Sequence, residues 1–273
     1  MQTSSVLITG VTSGTGLGLT KKFLEQGYQV FGSVRSVEKA EELQDKLGKN
    51  FIPLVFDICK IEEITTAAEK LKIHLGDGSL SAIINNAGSA KIGPLLYVSL
   101  DEFREHLDIL VVGHLAVIQK FYRFLIPQDP DSSTGKIINI SSVSGVGHNY
   151  LFGCYAAGKH AMEGLSKTLR KELEIFGIRV IVVAPGDIST SIWEKQTEEI
   201  IDKYADTEYF PSLRQSIATI NSSVVETAMT IGEFSDAFFS IYKEKEQADR
   251  YTIVKTRRKK IPFSKEIVRI FRD

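Results

Sequence analysis

The strongest constraint on the fold is an alternation. Short, continuously apolar runs are separated by stretches with helical periodicity. The first run, VLIT (Val6–Thr9), leads through the glycine-rich TGVTSGTGLG into the helical LGLTKKFLEQ, which Gly27 closes. The next runs are YQVFGSV (Tyr28–Val34), FIPLVFD (Phe51–Asp57), SAIINNAG ending a strand at Asn85, GKIINISS and IRVIVVAPG. Between them lie AEELQDKL, IEEITTAAEKLKIHL, a long helix over Phe103–Leu125 and another over the Cys154–Gly177 stretch. Strands that are apolar on both faces, rather than alternating, belong to a parallel sheet with helices on both sides. The pattern predicts an α/β fold built on a doubly wound parallel sheet, with a last strand at Arg250–Val254.

A chain of 273 residues without internal repeat, low-complexity tract or linker reads as one domain over 1–273. The rhythm breaks between Ser191 and Ser222, where Trp193, Tyr204, Tyr209 and Phe210 stand among charged residues. Ligands of such sheets bind outside the carboxyl ends of the strands. An excursion leaving the sixth strand at that edge, 191–222, is therefore expected to cover a substrate. The tail over 256–273, TRRKKIPFSKEIVRIFRD, is basic and reads as a solvated face or a peripheral membrane contact. The formal net charge of -1 gives no reason to expect nucleic acid. Cys59 and Cys154 match no metal or redox spacing, which suits a reducing, cytoplasmic setting. No apolar run is long enough to span a bilayer, and no signal peptide is expected. The histidines His74, His106, His114, His148 and His160 show no metal-ligand spacing, so no metal is expected.

Three places carry chemistry. In the first loop Gly10, Gly14 and Gly16 permit a tight turn and close approach of backbone to a pyrophosphate, at a helix N-terminus that attracts anions. At the end of the second strand, GSVRS has Val34 and Arg35 where an acidic residue would bind a ribose 2′-hydroxyl. Ser33, Arg35 and Ser36 there suit a 2′-phosphate, hence NADP(H) rather than NAD(H). The third place is CYAAGKHAMEG. Tyr155 and Lys159 are four apart and share one helix face. A nearby ammonium is expected to lower the tyrosine pKa, fitting the phenol to exchange a proton with a carbonyl or alcohol oxygen. Ser142, at the end of KIINISS, is placed to hydrogen-bond that oxygen.

Together TGVTSGTG, NNAG, the serines before YAAGK, and PGDIST resemble the short-chain dehydrogenase/reductase family in order and spacing, from about Val6 to Thr190. The resemblance implies a Rossmann-type fold with Gly10, Thr12, Ser13, Gly14, Thr15 and Gly16 around the pyrophosphate. It implies Asp57 at the adenine edge, and Asn86, Ala87 and Gly88 at the adenosine ribose. Pro185, Gly186, Ile188 and Thr190 would hold the carboxamide, and Ser142, Tyr155 and Lys159 would be catalytic, Lys159 also binding ribose. The tyrosine helix looks most like the branch acting on steroids, retinoids and related lipophilic alcohols and ketones. A homodimer or homotetramer is implied in the same way. His148 and Trp193 are the expected substrate contacts.

Two positions depart from the family pattern. Leu110 stands where an asparagine commonly supports a water that links the lysine to solvent, and leucine has no hydrogen bond to offer. Gly158 stands where serine is common. A proton route through other groups such as His114 or backbone carbonyls, a slow proton exchange, or lost catalysis are the alternatives. The expected function is an NADP(H)-dependent oxidoreductase acting on a lipophilic alcohol or carbonyl. Leu110 keeps open a non-catalytic, NADP-binding, redox-responsive interaction protein, and a dehydratase or epimerase is a third reading.

Overall fold

The computed structural model of the chain describes residues 4–127, 133–148, 150–189, 199–256 and 267–272. Eight strands form one sheet: β1 (Ser5–Ile8), β2 (Gln29–Val34), β3 (Phe51–Val55), β4 (Leu80–Asn85), β5 (Lys136–Ile140), β6 (Arg179–Pro185), β7 (Arg250–Thr256) and β8 (Ile267–Arg272). Their order is β3-β2-β1-β4-β5-β6-β7-β8. All pairings are parallel except β7–β8, which is antiparallel. The strand order reverses at β1, so a crevice opens between the carboxyl ends of β1 and β4.

Because successive side chains alternate across a strand, each face of the sheet collects its own core. One layer joins Val6, Ile8, Ile84, Ile138 and Val183 to Leu19 and Phe23 of α1 (Gly14–Glu25), Leu43 of α2 (Val37–Leu47), and Phe234, Phe238 and Ile241 from the last helix before β7. The other joins Leu7, Phe31, Ile83, Ile137 and Val180 to Ile64 and Leu71 of α3 (Ile61–Leu75), with Leu169 from the helix before β6. Phe23 meets Phe238, Phe239 and Tyr242 edge-on, with centroids 4.8–6.4 Å apart. Burial of a phenylalanine of this kind contributes roughly 1.5–3 kcal/mol.

The long helix expected over Phe103–Leu125 is interrupted. It runs as α4 (Leu100–Leu107), a π turn (Asp108–Val112), α5 (Gly113–Phe121) and a 3-10 turn (Tyr122–Leu125). In the π turn the Gly113 N–H donates to the Asp108 carbonyl, five residues back rather than four. Ser99 caps α4, accepting from the Glu102 N–H while the Glu102 side chain accepts from the Ser99 N–H. After it come α6 (Gly153–Glu172), α7 (Phe210–Thr227) and α8 (Ile231–Lys243).

The basic tail is not wholly a tail. Its last residues form β8, pairing Tyr251 with Arg272 through Thr256 with Ile267. Ile267, Val268, Ile270 and Phe271 give the segment enough strand character to add to the open edge of β7. Arg272 pairs with Glu244 at 3.0 Å. Of the tail over 256–273 read as a solvated face or membrane contact, residues 257–266 and 273 lie outside the described residues.

Candidate active site

The loop after β1 is shaped by what its glycines admit. Gly10 has φ +71°, and a Cβ there would stand 2.8 Å from the Ala87 Cα. A Cβ on Gly16 would collide with the Gly10 carbonyl and with Asn86 Nδ2. Asn86 braces the loop: its Nδ2 donates to the Thr9 carbonyl at 2.9 Å, and its Oδ1 accepts from Thr15 Oγ1 at 2.8 Å. Its side chain is therefore committed to holding β1 against β4. Ser13 has extended backbone and makes no side-chain cap, and the Leu17 N–H donates back to the Ser13 carbonyl. The preceding N–H groups of α1 thus face the cleft with the positive end of the helix dipole. A cradle in which added Cβ atoms would clash, at an uncapped helix N-terminus, fits a dinucleotide pyrophosphate.

The cleft occupies about 1040 Å³ and is lined by residues from the carboxyl ends of β1, β2, β4, β5 and β6. Among the expected residues, Gly10, Thr12, Ser13, Gly14, Thr15, Arg35, Asp57, Asn86, Ala87, Gly88, Ser142, Tyr155, Lys159, Pro185, Gly186 and Ile188 all line it. Gly16 lies just behind, buried beneath Gly10. Thr190 and Trp193 lie outside the described residues. Arg35 is exposed at the rim. Ser33 turns inward to accept from the Gly10 N–H at 2.8 Å, and Ser36 accepts from the Lys39 N–H as cap of α2. Asp57 Oδ1 accepts from the Cys59 N–H at 2.9 Å.

Ser142, Tyr155 and Lys159 come together. Ser142 follows β5, and its hydroxyl hydrogen-bonds Tyr155 and accepts from the Ser144 N–H at 3.1 Å. Tyr155 sits in the first turn of α6, and Lys159 one turn on, with Nζ 5.7 Å from the Tyr155 ring centroid. Lys159 is buried, and Nζ donates to the Ile140 carbonyl at 2.7 Å. Burial lowers its pKa to about 8, against a smaller opposing pull from Glu163. Glu163, one further turn along, is itself held by Arg250, whose Nε lies 3.2 Å from both carboxylate oxygens.

The tyrosine corrects the expectation of a lowered pKa. Burial pushes the Tyr155 phenol up, and the Ser142 hydrogen bond only partly opposes it. Desolvation penalises the phenolate more than the neighbours favour it. The site as it stands therefore keeps the phenol protonated.

The two departures touch one another. Leu110 lies in the π turn, fully buried. A Cβ on Gly158 would stand 2.7 Å from Leu110 Cδ1 and 2.9 Å from Leu110 Cβ. Leucine at one position fills the space that a side chain at the other would need. The glycine in the helix is thus a packing requirement.

Two substrate-side findings were not foreseen. His148 is exposed and does not line the cleft, whereas Tyr150 and Phe152 of the same segment do. Leu151, with φ 67°, turns the chain so that Leu151 and Phe152 enter an apolar cluster and leave His148 in solvent. That cluster joins Ile92, Leu151, Phe152, Tyr204, Leu213 and Ile217, with Tyr155 and Tyr209 packed against it. The described part of the excursion is tied to the loop after β4 and to α4. Tyr97 donates to Glu208 at 2.5 Å, and Lys203 pairs with Glu102 at 2.5 Å. Gln215 and Ser216 of α7, within the 191–222 excursion though not singled out in the sequence, line the cleft.

Comparison with known proteins identifies the family. The profile described as short chain dehydrogenase matches residues 4–201. NADPH-dependent 3-dehydrocapnine reductase of Ornithobacterium rhinotracheale is 35% identical over 235 residues, which is 85% of this chain and 83% of that protein. Retinol dehydrogenase 16 of Mus musculus is 29% identical over 221 residues, covering 76% of this chain and 68% of its own. A solved short-chain dehydrogenase from Streptomyces avermitilis shares the fold, with a TM-score of 0.76 at 21% identity over 92% of this chain and 88% of that one. No helix among the described residues is long and apolar enough to cross a membrane. With that profile spanning most of its length, the chain belongs to the short-chain dehydrogenase family and is an oxidoreductase with retinoid-type relatives.

Proposed function

We propose that the protein is an NADP(H)-dependent reductase of a lipophilic ketone or aldehyde, or the corresponding alcohol dehydrogenase. The observation that carries this reading is that Ser142, Tyr155 and Lys159 line one cleft, with the half-buried Tyr155 hydrogen-bonded to Ser142. When bound, the nicotinamide supplies the hydride for the carbonyl carbon. The chain's own residues then manage the oxygen. Ser142 orients it by a hydrogen bond, and Tyr155 gives it a proton. Lys159 stabilises the phenolate left behind and holds a ribose hydroxyl.

The glycine loop would hold the pyrophosphate, and Arg35 at the rim a 2′-phosphate. The NADPH-dependent relative supports that choice of cofactor. Asp57 would meet the adenine, Ala87 and Gly88 the adenosine ribose, and Pro185, Gly186 and Ile188 the carboxamide. The apolar cluster beside Tyr155 supports a greasy substrate covered by the 191–222 excursion. Exposed Leu100 of α4 and Val112 of the π turn suit a homodimer or homotetramer, and two free thiols suit the cytoplasm. Oxidation of NADPH against a panel of long-chain and polycyclic ketones tests the reading. Turnover of at least one with NADPH is the expected result, and NADPH binding without any turnover overturns it.

A further inference from the structure

Behind Lys159 lies a nitrogen without a partner. His114, in the first turn of α5, is fully buried, and Nε2 lies 2.8 Å from the Ala87 carbonyl. A carbonyl only accepts, so Nε2 carries the proton and Nδ1 presents a lone pair. That Nδ1 is buried with no hydrogen-bond partner among the described residues. Buried polar atoms rarely stay unpaired, because the lost hydration is not returned.

The charged donor whose field reaches His114 is Lys159. Its ammonium has three N–H bonds, of which one reaches the Ile140 carbonyl. Its charge is felt at His114, where it is the second cause, after burial, of a pKa near 3. Histidine is therefore neutral here, an acceptor beside a cation. The other groups facing Lys159 are Tyr155 and Glu163 of its own helix, the latter bound by Arg250 of β7. Leu110, one turn before His114, closes the gap between Gly88 and Gly158 with hydrocarbon and offers nothing polar. The Gly113 N–H, taken up five residues back, places the fully buried His114 directly after the π turn.

We infer that His114 Nδ1 accepts a second N–H of Lys159 through one bridging water, and so positions the ammonium under Tyr155. The inference rests on the roles proposed above for Tyr155 and Lys159. It makes His114 a positioning residue in a site whose π turn offers leucine instead of an amide. A neutral imidazole keeps the lysine charged and aimed without adding a competing charge.

Two measurements test this. In 15N-histidine-labelled full-length protein with NADPH, the His114 Nδ1 resonance should show an unprotonated, hydrogen-bonded nitrogen. It should move toward the free value in Lys159→Met. The same Nδ1 shift in both proteins overturns the inference, whether or not a substrate has been found. In turnover, His114→Leu should lower kcat at least about tenfold, the worth of one charge-assisted hydrogen bond. It should also displace the pH profile of kcat and enlarge the solvent deuterium effect. His114→Gln can still donate to Ala87 and accept from Lys159, and should return all three to within about threefold of wild type. A folded His114→Leu with wild-type kcat, pH profile and solvent effect, or a Gln variant no better than Leu, overturns it. Absence of turnover in wild type counts against the proposed reaction and leaves the NMR result to decide the role of His114.

Discussion

Gly158→Ala adds one methyl group to α6 at a point where Leu110 already stands. The added carbon would sit 2.7 Å from Leu110 Cδ1 and 2.9 Å from Leu110 Cβ, well inside the 3.4 Å where ordinary contact begins. Cδ1 can swing away, but Cβ moves only with the π-turn backbone. Overpacking of this kind costs about 1–3 kcal/mol. Alanine in place of a helical glycine returns up to ~1 kcal/mol. The net expectation is a loss of about 1–2 kcal/mol, or roughly 2–4 °C in melting temperature for each kcal/mol in a domain of this size. Leu110→Ala alone should cost about 2–5 kcal/mol through the cavity it leaves. In that background the clash disappears, and Gly158→Ala should become neutral or stabilising. Urea unfolding of the four proteins at one protein concentration then yields a coupling energy of at least ~1 kcal/mol. Additivity within ~0.5 kcal/mol would refute the claim that these two residues share one volume.

Three further expectations follow from the same geometry. Tyr155→Phe should lower kcat by at least about a hundredfold with little change in NADPH affinity, since only the proton donor is lost; titration and turnover of the variant check both. NADPH should bind at least about tenfold more tightly than NADH, and Arg35→Ala should remove most of that preference without weakening NADH; fluorescence titration with each cofactor decides it. Lys159→Met should stabilise the protein at pH 7. A depression from 10.5 to about 8 corresponds to a cost on the order of 3 kcal/mol, less about 1–2 for the Ile140 carbonyl left without its donor. Because the lysine pKa is lower folded than unfolded, the unfolded chain binds more protons between those values. Wild-type stability should therefore catch up with the variant as pH rises from 8 to 10. A variant that melts lower at every pH, or a gap that does not narrow, would contradict the buried-charge account.

Much of this was readable from residue order. Continuous apolar runs such as IRVIVVAPG can be satisfied only in a covered parallel sheet, and that sheet places TGVTSGTGLG, Ser142 and PGDI along one edge. Tyr155 and Lys159 were readable because helical spacing fixes a shared face. Other features were hidden for physical reasons. The π turn at Asp108–Val112 falls in DILVV, a run apolar at all but its first position, so there is no stripe whose phase the extra residue could visibly shift. The Leu110–Gly158 contact is between residues distant in sequence, and each alone looks like an unexplained deviation. The Tyr155 pKa depends on burial, which spacing to a lysine does not report. The strand at Ile267–Arg272 was masked by its arginines, which suggest solvent until a neighbouring edge is known.

The strand at Ile267–Arg272 also governs how the protein behaves during handling. Without β8, β7 would end the sheet as a straight parallel strand with the apolar Tyr251 and Ile253 in its core-facing positions and a row of open amides beside them. Such an edge recruits other chains. β8 seals it, and the rim it offers in turn carries Arg269 and the Arg272–Glu244 pair, charged groups that discourage a further strand from pairing there. Loss of β8 should show itself first as aggregation, with the crevice between β1 and β4 still able to bind nucleotide.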